Sequence, residues 1–114
     1  MNLLVFITNQ VEAIDPILAE LLDKKLTGAS VVDCAGMLKS LNESSVDAPP
    51  IFGSLRQFIN PDHETNKMLL MVLNQEDTPT VRSIIHKHVQ DIGQPNTGIL
   101  FEVPVSNVEG VTKK

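Results

Sequence analysis

A short segment of small and polar residues, 93–98, has the composition of an anion-binding loop. It reads Gly-Gln-Pro-Asn-Thr-Gly, so Gly93 and Gly98 enclose the polar side chains of Asn96 and Thr97. Such a loop can turn several backbone N–H groups toward one point and form a concave anion site. A helix cap followed by a turn explains the same residues and needs only the first glycine and the proline. Composition alone favours the cap and turn, and the anion site is the alternative.

The two arginines, Arg56 and Arg82, are the next residues that could hold a charged ligand. Arg56 lies among the apolar residues of segment 51–59, so its head group could extend from an apolar surface into a cleft. An ordinary surface position is the simpler interpretation of Arg56. Arg82 falls near the start of a helical pattern.

Metal binding has one weak candidate, the loop residues Asp62, His63 and Glu64. Carboxylate and imidazole groups are zinc ligands, but solvated loop charge is the simpler interpretation. His86 and His88 are two residues apart on a predicted helix, so they point to different faces and cannot share a metal. We therefore expect no metal site.

The sequence gives no support for catalysis. Cys34 is the single cysteine, it falls in a predicted strand, and no Cys–His spacing marks it as a nucleophile. The nucleophile-elbow, zinc-peptidase and nucleotide P-loop motifs are all absent, as are paired carboxylates. We expect no catalytic residues, no cofactor and no enzyme activity.

Size and charge restrict the class of protein further. The chain has 114 residues, which predicts one domain spanning 1–114. A net charge of −5, with no dense basic run and neither Tyr nor Trp, argues against nucleic acid and anionic membranes as partners. A single cysteine and the lack of a long apolar run predict a cytoplasmic protein with no membrane insertion.

The elements that must position these residues can be read from hydrophobic periodicity. Helical spacing begins at Asp15-Pro16 and again at Thr78-Pro79, where the side chains of Asp15 and Thr78 are predicted to cap the helix starts. Glycines predict the helix stops, at Gly28 and Gly93. Short apolar runs predict four strands, at 3–7, 29–35, 68–73 and 98–105.

The two halves of the chain repeat the order strand, helix, strand. Two such units predict an α+β, ferredoxin-like βαββαβ domain with a four-stranded antiparallel sheet and two helices on one face. Residues 36–66 form a long insertion between strands 2 and 3, with short helices predicted within it, including segment 51–59.

The predicted strands are apolar on both faces. Residues 68–73 read Met-Leu-Leu-Met-Val-Leu, and 3–7 are likewise apolar at alternate positions. The face without helices must then be covered, either by the inserted segment or by another subunit. We expect a homo-oligomer whose sheets pack inward.

The chain resembles the PII signal-transduction superfamily. The resemblance lies in the opening strand 3–7, in Asp33-Cys34-Ala35-Gly36 at the base of the long insertion, and in 93–101, where a glycine-bounded loop precedes a strand containing Phe101. Members of the family are trimers that bind small effectors, commonly adenine nucleotides, between subunits. Their long loop signals to a protein target. Nucleotide-binding members have a lysine where this chain has Ile99.

The resemblance implies a non-catalytic signalling or regulatory trimer that senses a small ligand. The alternatives are a structural or interaction module with no ligand, and a metal-handling trimer of similar fold that uses residues 62–64. Because the chain has no tyrosine, control by tyrosine uridylylation is excluded. The expected ligand-binding residues are Gly36, Arg56, Gly93, Asn96, Thr97 and Gly98.

Overall fold

Four strands form one antiparallel sheet in the order β2-β3-β1-β4. A computed structural model describes residues 1–35, 65–89, 92 and 98–110. The strands are β1 (Asn2–Thr8), β2 (Ala29–Ala35), β3 (Thr65–Leu73) and β4 (Gly98–Pro104), and the α-helices are α1 (Ile14–Asp23) and α2 (Thr78–His88). The α+β class, the antiparallel four-stranded sheet and the two helices are therefore confirmed.

The strand positions follow the apolar runs closely. β2 begins and ends at the predicted residues, whereas β3 begins earlier than predicted, at Thr65. Of the predicted insertion 36–66, residues 36–64 lie outside the described residues, and the last two belong to β3. Each helix follows a 3₁₀ turn, Val11–Ala13 before α1 and Gln75–Asp77 before α2, so the two halves repeat in local structure.

Both helices pack on one face of the sheet. Alternate residues of β1 and β3, with Leu4 and Leu69 among them, point to this side and are buried in a single cluster with both helices. Burial of each such side chain contributes about 1.5–3 kcal/mol, so this layer supplies most of the apolar stabilisation of the described fold. The helix residues of the cluster are Ile14, Ile17 and Leu21 from α1, and Val81, Ile84 and Ile85 from α2.

The helix starts differ from the sequence prediction. α1 begins at Ile14, one residue before Asp15, and no side chain caps it. Thr78 is the first residue of α2, and its hydroxyl donates a hydrogen bond back to the carbonyl of Gln75 at 2.9 Å. Both capping predictions are wrong because a 3₁₀ turn leads directly into each helix and occupies the place of a capped start.

The helix ends also come earlier than predicted. α1 ends at Asp23 rather than at Gly28, because Lys25 adopts the left-handed conformation (φ 60°). The Leu26 N–H donates to the carbonyl of Leu21, and the Lys25 N–H donates to that of Leu22, which is the Schellman pattern. α2 ends at His88, and the predicted stop at Gly93 lies outside the described residues.

Lys25→Gly is expected to raise the free energy of unfolding by about 0.5–1 kcal/mol, because glycine adopts the left-handed conformation without the steric cost that lysine carries. The neighbour Lys24 has φ −89° and gains no such relief. Lys24→Gly is therefore the matched control and should lower stability by about 0.5 kcal/mol. Urea denaturation of both variants measures the difference. A less stable Lys25→Gly protein would contradict the Schellman assignment.

Candidate functional site

One of the six predicted ligand-binding residues, Gly98, lies in the described part of the chain. It is the first residue of β4 and pairs with Thr8. The other five lie outside the described residues: Gly36, Arg56, Gly93, Asn96 and Thr97.

The backbone at Gly98 requires glycine for a structural reason. A Cβ atom built at this position would lie 2.6 Å from the carbonyl oxygen of Ile7, and φ is +156°. A separation this short would force the β1 or β4 backbone to shift. The close approach of the two strands therefore explains the glycine without a ligand.

The face of the sheet opposite the helices presents an apolar surface made of described residues from all four strands. Cross-strand partners point to the same side, so the pairing of Val5 with Leu70 and with Phe101 places all three on this open face. The open face consists of Leu3, Val5 and Ile7 from β1, Ser30, Val32 and Cys34 from β2, Asn66, Met68, Leu70 and Val72 from β3, and Ile99, Phe101 and Val103 from β4.

The outer strands of the open face are the most accessible to a partner. Ile99, Phe101 and Val103 on β4 are 53%, 39% and 42% exposed, and Val32 on β2 is 42% exposed. Val5, in the middle of the sheet, is buried. None of the described side chains assigned to this face carries a charge. An antiparallel sheet that meets water usually alternates apolar and polar residues, so this face has the composition of a surface that packs against another apolar surface.

A polar network ties α2 to the sheet on the helix side. Arg82 of α2 forms a salt bridge through its Nε with Glu102 of β4, and Asn2 Nδ2 donates to the other carboxylate oxygen at 3.2 Å. The hydrogen bond from Arg82 is the main reason why the pKa of Glu102 lies below its ordinary value, and burial opposes it. Arg82 is thus engaged in a structural ion pair.

A second network joins the two helices. Glu20 Oε1 lies 2.6 Å from Lys87 Nζ and 3.0 Å from His88 Nε2. The bond from Lys87 is the main cause that lowers the pKa of Glu20, and burial of the carboxylate opposes it. His88 is partly buried, and its ring nitrogen lies within hydrogen-bonding distance of Glu20.

The other side chains that could carry chemistry are not grouped together among the described residues. Cys34 is a free, partly exposed cysteine on the open face, and His86 is exposed on α2. Within residues 1–35, 65–89 and 98–110, no three histidine, cysteine or acidic side chains are grouped to hold a metal ion. Residues 62–64, the predicted metal candidates, fall outside this part of the chain. No helix in the described structure is both long and apolar enough to cross a membrane.

Comparison with known proteins returned no match, either to a protein-family model or to a curated protein.

Gly98→Ala is expected to lower the free energy of unfolding by about 1–3 kcal/mol, because the added methyl group meets the Ile7 carbonyl. Gly28→Ala is the matched control, since a Cβ there has nothing within 4 Å. The control should be neutral or slightly stabilising. Thermal or urea denaturation compares the two. Equal stability of both variants would show that the strands do not approach closely at Gly98.

Glu102→Gln is expected to reduce stability in a pH-dependent way. Because the fold holds the pKa of Glu102 below its ordinary value of 4.5, the carboxylate stabilises the fold fully above about pH 5. This contribution is lost as the pH falls through the lowered pKa. The stability gap between wild type and variant should therefore be largest at neutral pH and shrink below about pH 4.

Urea midpoints measured from pH 3 to pH 7 test this expectation. Glu109→Gln changes an exposed carboxylate outside the network and serves as the control. A constant gap between Glu102→Gln and wild type across the whole range would rule out a stabilising role for the ionised carboxylate.

Proposed function

We propose that the chain is a PII-like, non-catalytic signalling or regulatory protein that assembles through its open face and senses a small ligand between subunits. The strand order and the two helices on one side are compatible with the ferredoxin-like βαββαβ arrangement. We expect a homo-oligomer with three subunits, located in the cytoplasm, that passes the state of its ligand to a protein target.

The observation that carries this proposal is the uncharged, apolar open face. Its accessible side chains on β4 and β2 are each about half exposed, so covering them contributes about 1 kcal/mol per residue. A second copy of the chain presents the same surface and leaves no buried charge unpaired. Phe101 lies opposite Val5 in the middle of β1 and provides the aromatic anchor that interfaces favour.

The sheet topology supports a ligand site that is shared between subunits. Gly36 follows the end of β2, and Gly98 begins β4. Ala35 pairs with Thr65, and Gly98 pairs with Thr8, so Ala35 and Gly98 lie at the same end of the sheet. They belong, however, to opposite edges, three strand spacings or about 14 Å apart. We therefore expect a small ligand that contacts both loops to draw them from two neighbouring subunits.

A specific observation favours the second candidate, an interaction module with no small ligand. Ile99 follows Gly98 directly, at the position where nucleotide-binding PII proteins carry a lysine. Its side chain is 53% exposed on the open face, where it suits apolar contact and offers nothing to a phosphate. The metal-handling alternative depends on residues 62–64 and stays a prediction from sequence.

Phe101→Lys is expected to weaken self-association by about tenfold or more, because it removes an apolar contact and places a charge in the interface. Leu22 is 65% exposed on α1, away from the open face. Leu22→Lys is therefore the matched control and should assemble like wild type. Sedimentation velocity over a range of concentrations measures both. A monomeric wild-type protein, or equal assembly of the two variants, would overturn the role of the open face.

A thermal-shift panel of ATP, ADP, AMP, cyclic nucleotides and bicarbonate tests the ligand. A ligand present at about 100 times its Kd stabilises the folded state by about 2.7 kcal/mol, which raises the Tm by several degrees. Arg56→Gln should reduce that shift, whereas Lys24→Gln removes an exposed positive charge at the end of α1 and should not. If the wild-type oligomer shows no shift with any compound, the interaction module replaces the sensor.

A further inference from the structure

We draw no further inference here: the strongest candidate, the Glu20–Lys87–His88 cluster between α1 and α2, carries nothing because it is an ion-pair network joining the two helices and no ligand, cavity or second arrangement of the described residues gives it another role.

Discussion

The central strands β1 and β3 are apolar on both faces, and the arrangement of the other described elements depends on that constraint. On one side, α1 and α2 bury the residues around Leu4 and Leu69 in a single cluster. On the other side, the same two strands contribute Val5 and Leu70 to a surface that no described helix covers. A sheet of this kind supplies a two-layer fold and leaves an apolar surface on its other face, because the same strand sequence serves both faces.

The polar networks show how the helices are oriented on that sheet. Apolar packing is non-directional, so it does not by itself fix the rotation and position of a helix. Arg82 links α2 to Glu102 on the edge strand, and Glu20 links α1 to the last turn of α2. Each network is partly accessible to water, so its contribution is modest, and its main effect is to favour one arrangement of the layers.

The sequence was sufficient for the strands but not for the contacts between elements. Strands of four to eight apolar residues are visible locally, and β2 was located to the residue. The end of α1 was missed because Lys25 takes a conformation that glycine usually supplies, and its charge gives no signal of this. Glu102 was missed because its partner Arg82 comes from another element. Gly98 was identified, but sequence could not distinguish a ligand loop from the strand contact at Ile7.

The distribution of positive charge bears on the choice between a sensor and an interaction module. Arg82 and Lys87 are each paired with a glutamate on the helix side, and Lys67 lies 3.4 Å from Asp33 near the sheet end that leads to the candidate loops. An anionic ligand at this end of the sheet would have to displace Asp33 from Lys67 or be neutralised by another positive group. Arg56 is the remaining arginine of a chain with net charge −5. Its guanidinium can bind a phosphate or carboxylate in a bidentate manner, so Arg56 is the proposed anion contact if the chain is a sensor.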